Sequence, residues 1–166
     1  MSPETTVPSF GQLIYRLAQV LGGSELPTGD RAALRRMDPR EPGRAALPLH
    51  RLLFAAGVEG AASAGNANRW ALLVHCLAIA RGRHDRAAPT GKALCDLGLT
   101  EARLNQLLAA DEEVLFDLLP RIARRLAAQN AAVDWLPLAR ILLAGADAAD
   151  QARLDIARSY ARTQAA

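Results

Sequence analysis

The chain has very little of several residue types that carry specialised chemistry. Its 166 residues include two cysteines, Cys76 and Cys95, and aromatic residues make up 4%. Two cysteines outside a Cys-x-x-Cys pair exclude a disulfide framework and are typical of small buried hydrophobic side chains. The longest apolar run, 70–80, is interrupted by His75 and is far shorter than the roughly 20 residues of a membrane span. We therefore expect a globular protein without a membrane segment.

The sequence also lacks the patterns of strands and of secretion. No stretch alternates between apolar and polar residues for long enough to predict a strand. The opening Met-Ser-Pro-Glu-Thr-Thr lacks the basic-then-apolar pattern of a signal peptide, so a cytoplasmic location is expected. Helical periodicity predicts an all-α protein of about seven to nine helices. We expect a flexible N-terminus at 1–9, an N-terminal helical part at 10–88 and a C-terminal bundle at 89–166.

Local signals predict where the helices begin and end. Ser9 is expected to cap a first helix that Gly22-Gly23 ends. The apolar stretch 68–81 predicts a helix in the middle of the bundle. Pro120 lies inside the long helix expected after the acidic turn 111–113, and it should kink or split that helix. In the last helix, the residues expected to face inward are Leu154, Ala157, Tyr160 and Ala161.

Basic charge is concentrated in the first half of the chain. Up to Lys92 there are twelve basic and seven acidic residues, whereas the remainder has eight basic and ten acidic residues. The formal net charge of the whole chain is +3. A local basic excess favours a patch that meets a polyanion over a generally basic surface.

The stretch 29–36 predicts a short helix, capped by Thr28 or Asp30, with three arginines on one face. These arginines are Arg31, Arg35 and Arg36. Such a fork of guanidinium groups suits phosphate better than other common ligands. The opposite face of the helix carries the apolar residues Ala33, Leu34 and Met37.

A second arginine face is expected on the long helix after the acidic turn, where it would carry Arg121, Arg124 and Arg125. If the two helical parts pack together, a single groove would also include residues from other helices, namely Arg35, Arg36, Arg51 and Arg103. The alternative is that each face is merely solvated, with local pairs such as Asp117 with Arg121. The aromatic residues expected in the core are Phe54, Trp70, Phe116 and Trp135. Contact with phosphates is therefore favoured over base stacking.

Catalysis finds little support in the sequence. His75 lies in the most apolar stretch, a position that favours a packed, hydrogen-bonded histidine over a catalytic one. His84 lies in the charged loop 81–86 and is expected to be solvated. No metal-ligand motif and no phosphate-binding loop is found. We therefore expect no catalytic residue, no metal ion and no cofactor, with an enzyme that uses His75 or His84 as a minor alternative.

Several segments, taken in order, carry a resemblance to a known family. They are Gly29-Asp-Arg-Ala-Ala-Leu-Arg-Arg36, Leu49-His-Arg-Leu-Leu53, Pro89-Thr-Gly-Lys-Ala-Leu94, residues 101–111, Val133-Asp-Trp135 with Leu138-Ala-Arg140, and Ala157-Arg-Ser-Tyr160. Their order and spacing resemble the CasB family, the small subunit of the type I-E CRISPR surveillance complex Cascade. The resemblance covers most of the chain from about residue 10 onward.

The resemblance implies a non-catalytic, all-helical subunit present in two copies beside the backbone and large subunits of Cascade. Such a subunit contacts the guide RNA and target DNA path and the displaced non-target strand, and helps to hold the R-loop open. Carried over by position, the basic surface would comprise Arg35, Arg36 and Arg51 in the N-terminal part and Arg103, Arg124, Arg125 and Arg140 in the C-terminal part. The chain departs from the family where Ile156-Ala157-Arg158 replaces a Trp-Ala-Arg-like run. The alternative is a protein-interaction module with solvated arginine faces and no role in nucleic-acid binding.

Overall fold

The computed structural model describes residues 9–166, which form nine α-helices and no strand. The helices are α1 Phe10–Gly22, α2 Thr28–Arg36, α3 Ala46–Ala55, α4 Ala67–Ile79, α5 Thr90–Asp96, α6 Glu101–Leu108, α7 Glu112–Ala128, α8 Leu136–Leu143 and α9 Ala146–Ala165. The predicted all-α class is confirmed. The expected flexible terminus, residues 1–9, lies outside the described residues except for Ser9.

Three of the nine α-helices begin with a side-chain cap. Ser9 and Gln12 form a reciprocal capping box at the start of α1, and Thr100 and Asp111 accept backbone N–H bonds at the starts of α6 and α7. At the start of α2, Pro27 precedes the helix and no side chain caps it. The expected caps Thr28 and Asp30 were therefore wrong, and the Asp30 carboxylate instead accepts hydrogen bonds from Arg51.

The middle of the fold is α4, as its apolar composition predicts. Every residue from Trp70 to Ala78 is buried, and the helix packs against α1, α2, α7 and α8. One buried apolar cluster extends from Ile14 in α1 to Tyr160 in α9. The core thus continues through both halves of the chain, and the division into two helical parts near residue 88 stays a prediction.

The helix after the acidic turn, α7, continues through Pro120 without being split. Pro120 is buried on the inner face of α7, next to Leu119. A proline within a helix removes one backbone N–H donor. The apolar face that α7 packs against α4 supplies most of the stability of such a helix, so one missing bond does not interrupt it.

The last helix turns a different face inward from the one predicted. Its buried residues are Ala149, Ala152, Ile156 and Tyr160. Leu154 is 52% exposed, and Ala161 is exposed as well, so both predictions were wrong. The inner face is set by a close approach to α5, where a side chain at Gly91 would collide with the Ile156 carbonyl oxygen and the Tyr160 nitrogen. The buried face is therefore formed by Ala149, Ala152, Ile156 and the correctly predicted Tyr160, rather than by Leu154.

The charged loop 81–86 is attached to the segment before α8. The His84 Nδ1 atom accepts a hydrogen bond from the Trp135 backbone N–H at 3.1 Å, and the Trp135 indole donates to the Arg83 carbonyl at 3.0 Å. Only 2% of the His84 side chain is exposed, so the expectation that it is solvated was wrong. The reason is that backbone contacts hold the loop against the fold. His84 pairs with Val133 in an isolated β-bridge, and the Asp85 N–H donates to the Val133 carbonyl.

Candidate nucleic-acid interface

The three arginines of α2 do not behave alike. Arg31 folds back toward the loop before the helix, where its guanidinium donates to the Gly23 carbonyl and to the Thr28 hydroxyl. Arg35 and Arg36 are exposed at the C-terminal end of the helix, and Arg36 Nε donates to the Ala32 carbonyl at 3.3 Å. The opposite face packs inward through Leu34 and Met37, which are buried as predicted. The end of α2 therefore presents two guanidinium groups rather than three.

Arg51 connects α3 to this helix through a bidentate ion pair. Its Nη1 lies 3.0 and 3.2 Å from the two carboxylate oxygens of Asp30. The Asp30 side chain is 11% exposed, while the Arg51 side chain is 51% exposed. Within residues 9–166, the Nε and Nη2 groups of Arg51 have no hydrogen-bond partner, so they remain available to an anion.

The outer face of α7 carries the predicted arginines in exposed positions. Arg121 and Arg124 are exposed and have no ion-pair or hydrogen-bond partner in the described part of the chain. Arg125 donates to the Leu97 carbonyl at 3.0 Å. Asp117 was expected to pair with Arg121, but its carboxylate lies 3.2 Å from Arg40 Nη2 instead. The ion pair thus joins two distant segments and leaves Arg121 free.

The helices α2 and α7 both pack against α4, which carries the buried residue His75. His75 contacts the Leu34 carbonyl of α2 through Nδ1 at 2.8 Å. Burial lowers the pKa of His75, and the positive charge of Arg124 lowers it further. Arg35 and Arg36 are thus exposed on one neighbour of α4, and Arg121 and Arg124 on another. This surface, formed by Arg35, Arg36, Arg121 and Arg124, is called the arginine surface below.

Two other predicted residues lie elsewhere in the fold. Arg103 donates to Gln106 on its own helix, α6, at 2.9 Å. Arg140 is half-buried and lines a cavity of about 230 Å³ together with Arg86 and with residues of α9. No residue of α2 lines that cavity. The structure therefore does not bring Arg140 together with the arginine surface.

The buried titratable groups are placed for packing. His75 is 3% exposed and hydrogen-bonded, which confirms the packed interpretation. Complete burial raises the pKa of the neighbouring Cys76 thiol, a change that suppresses the reactive thiolate. In the part of the chain that the structure describes, no three His, Cys, Asp or Glu side chains form a group that could hold a metal ion. No helix there is long and apolar enough to cross a membrane.

Sequence reasoning missed two residues of functional interest. Phe54 was placed in the core, but it is 70% exposed on α3, whereas Trp70, Phe116 and Trp135 are buried as predicted. A signal was present, because Leu49, Leu52 and Leu53 define the buried face of α3 and Phe54 falls beside that face rather than on it. Arg40 had no signal in helical spacing, since it lies in the irregular segment after α2.

Comparison with known proteins places the chain in a class of CRISPR proteins. The model of the family described as CRISPR-associated protein Cse2 matches residues 30–160, and the chain belongs to this family. Cse2 is the CasB small subunit of the type I-E Cascade, which confirms the resemblance found in the sequence. Among curated proteins, none matches the chain. The family is that of a structural subunit of a larger complex in CRISPR defence.

Proposed function

We propose that this Cascade subunit binds the backbone of nucleic acid through the arginine surface and so stabilises the R-loop. The ligands would be the guide and target path and, above all, the displaced non-target DNA strand. The observation that carries the proposal is the exposure of Arg35 and Arg36 on α2 and of Arg121 and Arg124 on α7, two helices that both pack against α4. Phosphate groups are the ligand that guanidinium groups bind with the best geometry.

Modest backbone contacts are sufficient for this role. The guide–target heteroduplex is about as stable as the DNA duplex that it replaces, so contacts with the separated strands can tip the exchange. Each phosphate that an arginine neutralises also releases counterions and steepens the dependence of affinity on salt. A subunit with no catalytic residue can therefore control the efficiency of target capture.

The proposal ranks the predicted residues by their surroundings. Arg35, Arg121 and Arg124 rank first, because their guanidinium groups have no protein partner among the described residues. A second group has one guanidinium nitrogen bonded to the protein and comprises Arg36, Arg51, Arg103 and Arg125. Arg31, with two engaged nitrogens, and Arg140, which lies elsewhere in the fold, rank last. We further propose that the subunit is present in two copies per complex, contacts the backbone and large subunits, and acts in the cytoplasm. These features are in keeping with the family.

The test is capture of target DNA by an assembled type I-E complex that contains Arg35→Glu with Arg36→Glu. We expect capture to weaken at physiological salt and the slope of log affinity against log salt to become shallower. Arg158→Glu with Arg162→Glu is the matched control, because these exposed residues on α9 give the same change in net charge. If capture and slope are unchanged while the complex assembles fully, the assignment of the α2 arginines to the nucleic-acid interface is wrong.

A further inference from the structure

The most exposed large aromatic residue of the fold is Phe54, in a chain with few aromatic residues. Phe54 is 70% exposed, and it lies near the C-terminal end of α3. An aromatic ring is among the most favourable side chains to bury, so exposure forgoes stability unless a ligand covers the ring. Planar rings that face solvent are also the element on which unpaired nucleobases stack.

A free phosphate-binding group lies on the same face of the helix. Arg51 precedes Phe54 by three residues, a spacing that places two side chains next to each other on a helix. Only Nη1 of Arg51 is engaged, by Asp30, while half of the side chain is exposed. A guanidinium with free donors beside an exposed ring matches a nucleotide, which has a phosphate and a planar base.

Phe54 also lines a shallow cavity of about 380 Å³ together with Arg16, Gln19 and Glu25. Arg16 approaches closely there, because a side-chain carbon at Gly57 would lie 3.6 Å from its Nη1. Arg16 and Glu25 bring opposite charges to the cavity, so it is nearly neutral. Such a cavity suits an uncharged base with hydrogen-bonding edges, and it leaves the phosphate to Arg51.

We propose that Phe54 stacks on an unpaired nucleobase of a single-stranded nucleic acid while Arg51 binds an adjacent phosphate. This inference rests on the proposed function and assigns it a stacking site. The Arg51–Asp30 ion pair attaches α3 to α2, so the stacking site adjoins the helix that carries Arg35 and Arg36. A strand that follows the arginine surface would therefore have its backbone and one base held by neighbouring helices.

The test compares two substitutions at one position in the assembled type I-E complex. Phe54→Trp preserves an aromatic plane, whereas Phe54→Leu preserves apolar character without the plane. We expect Phe54→Leu to weaken capture of target DNA by about 5- to 100-fold and Phe54→Trp to remain within about threefold of the unchanged protein. Leu154→Ala is the control, because Leu154 is the large exposed apolar residue of α9.

Fluorescence gives a second, direct measurement. The natural tryptophans, Trp70 and Trp135, are buried, so the indole introduced by Phe54→Trp is the one that faces solvent. Stacking predicts that a single-stranded DNA oligonucleotide quenches the emission of the complex that contains Phe54→Trp more than it quenches the emission of the complex with the unchanged chain. Unchanged emission at saturating DNA, or full capture by the Phe54→Leu variant, would overturn the stacking site.

The outcomes also separate this inference from the proposed function. Loss of capture with Arg35→Glu and Arg36→Glu, but not with Phe54→Leu, would retain the arginine surface and reject the stacking site. Loss of capture with Phe54→Leu alone would reject the assigned arginine surface while supporting the stacking site. If Phe54→Leu instead lowers recovery of the subunit in the complex, the ring contacts another protein subunit and the stacking site is wrong.

Discussion

Arg40 extends across the fold from the segment after α2 to Asp117 on α7, with 3.2 Å between its Nη2 and the Asp117 Oδ1. The same guanidinium lies 3.5 Å from the Glu113 carboxylate and 5.3 Å from the centre of the Phe116 ring. It therefore attaches the segment next to Arg35 and Arg36 to the helix that carries Arg121 and Arg124. This relationship holds the two halves of the arginine surface together.

The first prediction concerns the partner of Asp117. A double-mutant cycle between Arg40→Ala and Asp117→Ala should give a small favourable coupling, because both side chains are partly exposed and screened by solvent. The measurement is the free energy of unfolding of the two single variants and the double variant in denaturant. The matched cycle between Arg121→Ala and Asp117→Ala should give coupling near zero. Stronger coupling to Arg121 would restore the local pair expected from helical spacing.

Gly91 gives the second prediction, because it marks the closest approach of α5 to α9. Gly91→Ala forces a side-chain carbon against the backbone of Ile156 and Tyr160. We expect the free energy of unfolding to fall by about 1–3 kcal/mol or more, as for other overpacked contacts. Chemical denaturation measures the change.

The control for this prediction is Gly29→Ala, since Gly29 is the second residue of α2 and has open space around its α-carbon. This substitution should stabilise the protein by roughly 0.4–1 kcal/mol, because alanine restricts the unfolded chain at a position that it can occupy without strain. An equal effect of the two substitutions would show that helix propensity, rather than the α5–α9 contact, governs position 91.

The helices could be predicted from the sequence, whereas contacts between them could not. Caps such as Ser9, Thr100 and Asp111 act within one turn, so their chemistry is readable from residue type and spacing. Which residues of α9 are buried depends on how closely α5 approaches. Nothing in the sequence of α9 shows that Gly91 allows the backbone of α9 to come so near.

In the candidate site, too, features within one helix could be predicted from the sequence, whereas contacts between elements could not. The exposure of Arg35, Arg36, Arg121 and Arg124 follows from helical periodicity, and the structure places all four on the surface. The guanidinium of Arg31 is drawn to the Gly23 carbonyl by a loop, and Asp117 is drawn to Arg40 by an irregular segment. Such long-range partners are set by the tertiary fold, which helical spacing does not encode.

The third prediction concerns pH, because His84 is buried beside the loop contacts. Burial lowers the pKa of His84 below its ordinary value, so the unfolded chain binds a proton at a pH where the folded protein does not. Stability is then fully present above the unfolded pKa of about 6.5 and falls as the pH drops below it. Protonation at Nδ1 would also remove the acceptor for the Trp135 N–H.

His84→Asn tests this prediction, because the asparagine carbonyl can accept the same hydrogen bond without titrating. The free energy of unfolding, measured between pH 5 and pH 8, should depend less steeply on pH in this variant below about pH 6.5. The residual slope comes from His75, whose pKa is lowered in the same direction by burial. An unaltered profile for His84→Asn would contradict the assignment.

The fourth prediction separates the arginines of α2, which look alike in the sequence. Arg35→Ala should lower the slope of log affinity against log salt by about one, because a phosphate contact is lost, while the free energy of unfolding stays nearly constant. Arg31→Ala should do the opposite, since its guanidinium is bonded to the Gly23 carbonyl and the Thr28 hydroxyl. Its loss should cost about 0.5–3 kcal/mol of stability and leave the salt slope intact.

Two measurements on both variants check this prediction. Salt titrations of target capture give the salt slope, and denaturant titrations give the free energy of unfolding. If Arg31→Ala reduced the salt slope as much as Arg35→Ala, the guanidinium would leave the Gly23 carbonyl to bind phosphate in the complex, and the surface would have the three-arginine fork that helical spacing predicts.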